Sequence, residues 1–203
     1  MTIENTVYII DDDAAVRDAL GLLLSLNGYR TAFFADAAAF LGAWISDYRG
    51  CILMDIRMPG IDGLTLQKLL LEQGCRLPVL IITGHGDVDS ARAAFRLQAV
   101  DFLEKPLQEE QLIAAIEEAV ARQSEQREQT DAQREHRRRA SMLTPREREV
   151  MLLVFAGHHN REVAQELGIS VRTVEVHRGR MMEKLQVRSV ADLVRQHLQY
   201  GTH

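Results

Sequence analysis

Short apolar runs alternate with helical patterns over the first 122 residues. Apolar runs that predict β-strands lie at about 6–10, 30–34, 51–54, 78–82 and 100–103. Stretches with helical spacing of apolar residues follow them at 14–27, 36–46, 63–73, 88–97 and from about 108 to 120. Five strand-helix units in this order predict an α/β doubly wound fold, in which helices cover both faces of a five-stranded parallel sheet.

A polar segment at 123–141 separates this part from the rest of the chain. Its residues 123–139 contain no Pro or Gly and are almost wholly polar, so the segment cannot form a core of its own. Because Ala, Gln, Glu and Arg dominate, a helical linker is favoured over a flexible one. The predicted domains are therefore 1–122 and 142–203.

The second domain is predicted to be all-α, with four short helices whose starts are marked by capping residues. Thr144-Pro145 with Glu147 is typical of a capping box, and Asn160, Ser170 and Ser189 can cap the later helices. The helices are expected at 145–156, 161–167, 171–185 and from 189 to about 199. The turn Leu167-Gly-Ile-Ser170 joins the second and third into a helix-turn-helix.

The charge balance differs between the two halves. Residues 1–124 carry 10 Lys and Arg against 18 Asp and Glu, net −8, whereas residues 125–203 carry 14 against 11, net +3. This asymmetry is consistent with a cation-binding first half and a polyanion-binding second half. No apolar stretch approaches the roughly 20 residues of a membrane span, and the N-terminus has a strand pattern, so a cytoplasmic protein with reduced Cys51 and Cys75 is expected.

Polar residues with chemical potential follow four of the predicted strands. They are Asp11, Asp12, Asp55, Thr83 and Lys105. Side chains at the carboxyl ends of parallel strands collect at one edge of a doubly wound sheet. Three carboxylates there repel one another unless a cation neutralises them, and a hard ion such as Mg²⁺ would leave Asp55 an oxygen for nucleophilic attack. Phosphoryl transfer also needs groups that stabilise the phosphoryl oxygens, such as Lys105 and Thr83.

At these residues the sequence resembles the receiver domain of two-component response regulators. The resemblance rests on the acidic pair Asp11-Asp12, the loop 53–60 with Gly63, Thr83, and Lys105-Pro106, whose peptide bond is typically cis in the family. It implies that Asp55 accepts a phosphoryl group. It also implies that Asp12, Asp55 and the backbone carbonyl of Arg57 bind Mg²⁺ or Mn²⁺, with Asp11 assisting. Asp13 is interpreted as a loop carboxylate in preference to the alternative, a further contact to the ion.

The same resemblance implies a switch. Thr83 would move toward the phosphoryl oxygens and make room into which Phe102 could turn. The alternative is that Phe102 is simply a buried residue of its strand, with no role in switching. One departure stands out near this region: Arg96-Leu-Gln-Ala99 replaces the family's common Lys-Ala-Gly-Ala. Gln98 thus stands where a glycine could serve a positive φ.

The third helix of the second domain has a core stripe and an outer face. Arg172, Glu175, Val176 and Gly179 share the outer face, where Glu and Val can contact base edges. Gly179 either permits close approach to DNA or is simply tolerated. Phosphate contacts are expected from Thr173, His177, Arg178 and Arg180.

The motifs 144–150, 160–164 and 171–177 are similar to a LuxR-type DNA-binding domain. With the receiver, they resemble a FixJ/NarL-type response regulator, a transcription factor that a sensor histidine kinase phosphorylates. The family pairs two copies through its fourth helix on double-stranded promoter DNA, so Leu193, Val194 and His197 are candidates for dimerisation. His158 and His159 are interpreted as part of a solvated loop and not as metal ligands, although the loop departs from the family pattern.

An enzymatic alternative remains open at this point. Asp11-x-Asp13 after a strand, with Thr83 and Lys105 downstream, also outlines a haloacid-dehalogenase-type phosphatase with Asp11 as its nucleophile. That interpretation gives Asp55 no role, expects Thr or Val where this chain has Ala15, and does not use the helix-turn-helix. We therefore favour a phosphorylated binding switch without turnover of an external product.

Overall fold

A computed structural model describes residues 5–84 and 86–200. Residues 1–4 and 201–203, which belong to the ends of the two predicted domains, lie outside these ranges. The chain separates into two compact units that divide between Gln126 and Arg127. Within the described ranges, no helix has the length and apolar character needed to cross a membrane.

The first unit contains five strands, each followed by a helix. The strands are β1 (Thr6–Ile10), β2 (Arg30–Phe34), β3 (Gly50–Asp55), β4 (Val79–Thr83) and β5 (Asp101–Glu104). The helices are α1 (Ala14–Leu26), α2 (Ala37–Ala43), α3 (Gly63–Glu72), α4 (Val88–Arg96) and α5 (Glu109–Ser141). All strand pairs are parallel and the order is β2-β1-β3-β4-β5, which confirms the predicted doubly wound sheet.

Helices cover both faces of the sheet, and alternate side chains of each strand point to opposite sides, so each face has its own core. Tyr8, Ile10 and Met54 lie in a core with Phe40 of α2 and Leu66 of α3. The opposite core contains Val7, Ile9 and Leu53 with Leu24 of α1 and Ile116 of α5. The order of the strands reverses between β1 and β3, so the carboxyl ends of these two strands flank the crevice where doubly wound proteins bind ligands.

One helix is shorter than expected, and another continues through the polar segment in agreement with the helical linker favoured above. α2 ends at Ala43, before the expected 46, because Trp44 turns to an extended backbone with ψ of 136°. α5 continues without a break from the first unit through the polar segment to Ser141. Glu135 supports its polar part through ion pairs with Arg138 at 2.7 Å and Arg139 at 2.8 Å. Arginine hydrogen bonds lower the pKa of Glu135 to about 2.

The polar segment is also anchored where it begins. Gln123 is almost fully buried, and its Oε1 accepts a hydrogen bond of 2.7 Å from the backbone N–H of Gly50 at the start of β3. Gly50 has a φ of 116°, and a Cβ at this position would lie 1.9 Å from the carbonyl oxygen of Thr6. Only glycine therefore fits at this end of β3.

The second unit contains four further helices. They are α6 (Pro145–Phe155), α7 (Asn160–Leu167), α8 (Val171–Leu185) and α9 (Val190–Tyr200). The capping box of Thr144 and Glu147 and the Ser170 cap of α8 are present as predicted. His159, and not Asn160, occupies the N-cap position of α7, so Asn160 is the first helical residue. Gly168 ends α7 with a φ of 66°, as expected.

An apolar core and one buried ion pair hold these helices together. The core includes Val150, Val163, Val174, Met181 and Leu193, one or more from each helix. Glu147 is 2% exposed and its Oε2 lies 2.6 Å from the Nζ of Lys184. Burial alone would raise the pKa of Glu147, but its hydrogen bonds with Lys184 and Thr144 outweigh burial and lower it. A buried carboxylate is stable here because it is paired.

Gln98 adopts the left-handed conformation that a glycine at this position could serve, although glutamine adopts it less readily. Its φ is 67°, and its N–H donates to the carbonyl of Phe95 at the end of α4. A residue with a Cβ is strained in this region by about 1–2 kcal/mol. The turn is kept because Ala99 continues it with a hydrogen bond to Ala94 at 3.0 Å.

We predict that Gln98→Gly raises the free energy of unfolding by about 1 kcal/mol, because glycine adopts positive φ without strain. Urea unfolding of the full-length protein, followed by the fluorescence of the single tryptophan in the first unit, measures this. Gln73→Gly is the matched control: Gln73 also ends a helix, but its φ is −82°. It should be neutral or destabilising by up to about 1 kcal/mol. Equal destabilisation by both changes would contradict the prediction.

Candidate functional site

The carboxyl ends of β1 and β3 bring three acidic side chains together. Asp11, Asp12 and Asp55 each place one carboxylate oxygen so that the three atoms lie within 4.8 Å of one another. Ile10 pairs with Met54 in the sheet, so the next residue of each strand end, Asp11 and Asp55, meets the other across the crevice. Asp11 and Asp55 are buried, whereas Asp12 is exposed.

Lys105 bridges the two buried carboxylates. Its Nζ donates to Asp11 Oδ2 at 2.8 Å and to Asp55 Oδ2 at 3.1 Å. Burial alone would lower the pKa of Lys105, but the hydrogen bonds and charges of the two aspartates outweigh it, and the pKa is raised. Lys105 stays charged, so one positive charge faces three carboxylates. The Lys105-Pro106 peptide bond is cis, as the family resemblance implied.

The loop after β1 is held by its own hydrogen bonds. Asp11 Oδ1 accepts from the N–H of Asp13 at 2.9 Å, and Asp13 Oδ1 accepts from the N–H of Ala15 at 2.8 Å. Asp13 is therefore the N-cap of α1 and is not a member of the acidic cluster. Arg17 Nη1 donates to the backbone carbonyl of Asp11 at 2.6 Å. The sequence reasoning missed Arg17, although a helical side chain leans back toward the residues that precede its helix.

The loop after β3 is shaped around Asp55. The backbone N–H of Arg57 lies 3.3 Å from Asp55 Oδ1, and the Arg57 side chain is exposed. Gly63, the first residue of α3, donates to the carbonyl of Ile56 at 2.8 Å. A Cβ on Gly63 would lie 2.3 Å from the carbonyl oxygen of Asp55, so the backbones approach more closely than any other residue permits.

The two predicted switch residues lie on the neighbouring strands. Thr83 ends β4, is 1% exposed, and accepts through its carbonyl from the N–H of Lys105 at 2.8 Å. Phe102 of β5 pairs with Ile81 and is partly buried against the core. A Cβ on Gly86 would lie 3.3 Å from the Phe102 ring, so the ring packs beside the loop that follows Thr83. The strand order thus links Phe102 to the acidic cluster through β4.

In the second unit, α8 presents one exposed face. Five of the predicted DNA-contacting residues are on it: Arg172, Glu175, Val176, Gly179 and Arg180. The other three are partly buried or engaged. Thr173 shares a hydrogen bond of 2.8 Å with Ser170, and His177 has an Nδ1 that is buried without a hydrogen-bond partner among the described residues. Arg178 Nη1 donates to Asn160 Oδ1 at 2.7 Å.

The predicted dimerisation residues on α9 differ in exposure. Leu193 is 1% exposed and belongs to the core of its own unit, so its side chain is not available to a second copy. His197 stacks on Phe155 with ring centroids 4.3 Å apart, and Val194 is partly buried. Leu198 is 77% exposed and was missed, although it lies one helical turn beyond Val194.

Comparisons with known proteins agree with both units. Residues 7–117 match the response regulator receiver domain, and residues 141–196 match the luxR family of bacterial regulatory proteins. The transcriptional regulatory protein FixJ of Bradyrhizobium diazoefficiens is 45% identical over 202 residues, which cover 99% of this chain and 98% of that protein.

Two solved structures are similar over nearly the whole chain. The response regulator StyR has a TM-score of 0.91 at 38% identity and covers 97% of this chain and 100% of its own. Full-length FixJ from B. japonicum has a TM-score of 0.62 at 43% identity and covers 98% of both chains. The chain therefore belongs to the response regulators that join a receiver domain to a luxR-family DNA-binding domain. It is a two-component transcriptional regulator. The homologues of this chain are regulators, so the phosphatase alternative is not supported.

We predict that Gly63→Ala reduces labelling by acetyl phosphate by about 10²-fold, because the new Cβ displaces the Asp55 backbone and misplaces the reacting group. Labelling is measured on Phos-tag gels, with circular dichroism as a check on folding. Gly42→Ala is the control, since a Cβ at Gly42 meets nothing within 4 Å. Equal labelling of the two variants would show that the close approach at Gly63 is unimportant.

Proposed function

We propose that Asp55 accepts a phosphoryl group from the phosphohistidine of a sensor histidine kinase. The position of Asp55 supports the proposal. Asp55 ends a fully buried strand, lies in the acidic cluster, and its Oδ2 is 3.1 Å from the Nζ of Lys105. One Asp55 oxygen bonds to phosphorus while the phosphorus–nitrogen bond of the donor breaks and the imidazole nitrogen keeps that electron pair. Later attack by water releases phosphate. The product is a modified regulator, and no external substrate is turned over.

The acidic cluster fits a divalent cation. Three carboxylates facing one ammonium leave an excess of two negative charges, and carboxylate oxygens are ligands that Mg²⁺ and Mn²⁺ accept. Asp11, Asp12, Asp55 and the Arg57 backbone carbonyl would hold the ion, which supplies positive charge to the phosphoryl oxygens. Lys105 contributes a second positive charge at the same place, and the Thr83 hydroxyl can donate to a phosphoryl oxygen.

Phosphorylation then acts by selecting a conformation. Thr83 and Phe102 are our candidates for the switch, because they occupy adjoining strands next to the acidic cluster. A phosphoryl group on Asp55 favours the conformation in which Thr83 bonds to it, and the space beside β4 becomes available to Phe102. Phe102 is only partly buried, which supports this role because its ring can turn without exposing the main core.

The exposed face of α8 is the proposed DNA-reading surface. Glu175 and Val176 are placed for base edges in the major groove, with Arg172 and Gly179 on the same face, while Thr173, His177 and Arg180 are placed for phosphates. We place the action of the protein in the cytoplasm, where promoter DNA is found. The phosphorylated form binds as a homodimer, for which the outer side of α9, with Val194 and Leu198, offers apolar surface.

We predict that Asp55→Asn abolishes labelling by acetyl phosphate, because the amide is not a nucleophile at neutral pH. Phos-tag gels measure the labelled fraction. Asp13→Asn is the matched control, since Asn is as good an N-cap as Asp, and it should retain labelling within about twofold. Label that survives Asp55→Asn and disappears with Asp11→Asn would refute the assignment and favour Asp11 as the nucleophile.

We predict that Glu175→Ala relaxes base preference at one position of the binding site, with a loss of about 1–3 kcal/mol of discrimination. Selection of duplexes from a randomised library by the phosphorylated protein measures the preference. Arg180→Ala should weaken all sequences alike, because phosphate contacts carry no sequence information. The division of roles is wrong if both variants lose discrimination equally.

A further inference from the structure

Arg178 differs from the other cationic residues at the start and middle of α8. Arg172 and Arg180 are exposed, whereas Arg178 is partly buried. It follows Val174 by one helical turn, and Val174 is fully buried in the core of the unit. Arg178 is thus carried on the side of α8 that packs against the rest of the unit, at its border with the exposed face.

The partner of Arg178 lies at the start of the other helix of the helix-turn-helix. Arg178 Nη1 donates to the side-chain oxygen of Asn160, the first residue of α7, at 2.7 Å. The residues are 18 positions apart in the chain, so this bond closes the side of the motif opposite the turn around Gly168. Besides the apolar core that they share, the two helices are therefore joined by the turn and by this hydrogen bond.

The positive charge of Arg178 explains why a hydrogen-bond acceptor is needed at the start of α7. The N-terminus of a helix carries partial positive charge, so a guanidinium is unfavourable beside it unless an acceptor lies between them. The Asn160 oxygen is such an acceptor. A hydrogen bond from a charged donor is also stronger than one between neutral groups. The hydrogen bond thus holds Arg178 in one position, unlike an arginine whose side chain moves freely at the surface.

We propose that Arg178 is a positioning residue for DNA recognition. Through Asn160 it holds α8 against α7, so that the face with Glu175 and Val176 meets the groove at a fixed angle, and it does not neutralise a DNA phosphate itself. The inference rests on the proposed DNA-reading role of α8. It replaces the phosphate contact that the sequence alone suggested for Arg178.

The two roles differ in their dependence on salt. Each phosphate that a protein neutralises releases counterions, so loss of one such contact reduces the slope of log K against log salt by about one. A residue that only orients the helix lowers affinity at every salt concentration without changing this slope. Asn160 carries no charge, so its removal lowers affinity without changing the counterion release that sets the slope.

The experiment uses the full-length protein phosphorylated with acetyl phosphate. The probe is a duplex that the wild-type protein selects from a randomised DNA library, and affinities are measured at several salt concentrations. Arg178→Ala and Asn160→Ala should each lower affinity about tenfold with an unchanged slope. The double variant should bind no more weakly than either single one, because both remove the same bond. Arg180→Ala, an exposed arginine two residues further on, should reduce the slope by about one.

Three results would overturn the inference. They are a reduced slope for Arg178→Ala, an unchanged affinity for Asn160→Ala, and losses that multiply in the double variant. If Asn160→Ala does not fold by circular dichroism, the slope of Arg178→Ala decides, and Asn160→Asp, which keeps an acceptor, should bind within about threefold of wild type. Failure of the wild type to select any duplex would instead overturn the proposed DNA binding, and the inference with it.

Discussion

The first unit depends on one electrostatic constraint, the placement of Lys105 between Asp11 and Asp55. Two carboxylates buried at the ends of adjacent strands would repel each other, and burial of unpaired charge is costly. Lys105 reaches both, at 2.8 and 3.1 Å, and so permits the acidic cluster to exist at a buried sheet edge. It does not neutralise the cluster. The remaining negative charge makes the site suited to a cation, and a bound cation would supply the positive charge that an incoming phosphoryl group needs.

β3 connects the acidic cluster to the part of the unit that holds α5. Its carboxyl end carries Asp55, whose loop is held by the close approach of Gly63. Its amino end begins at Gly50, whose N–H is bound by Gln123 of α5. The strand has no exposed residue between these ends, so it can behave as a rigid connection. Asp55 and the hydrogen bond that holds α5 through Gln123 thus lie at opposite ends of one buried strand.

The sequence predicted the strands, their parallel arrangement and the acidic cluster because these depend on local patterns along the chain. Buried runs followed by Asp11, Asp55 or Lys105 imply a common edge once the sheet is parallel. The departure at Gln98 was not predictable in this way: the missing glycine left the turn geometry open, and the structure keeps a positive φ there. Side-chain partners could not be predicted in this way. The bond between Arg178 and Asn160 and the burial of Leu193 depend on how helices cross and which rotamers fill the space between them, and periodicity gives neither.

The same difference separates the two halves of the chain, because sequence constrains the roles of side chains less tightly in the DNA-binding half than in the receiver half. At the sheet edge, backbone pairing fixes where each side chain begins, so the charged groups there have few possible partners. On α8, every third or fourth residue shares a face, so a helix with four cationic residues has several equivalent assignments. Burial separates them. Arg178 lies beside the core stripe of Val174 and Met181, and Lys184 binds the buried Glu147, so two of the four cations stabilise the arrangement of helices. Arg172 and Arg180 keep their charge at the surface, which is where attraction to the DNA backbone has to act.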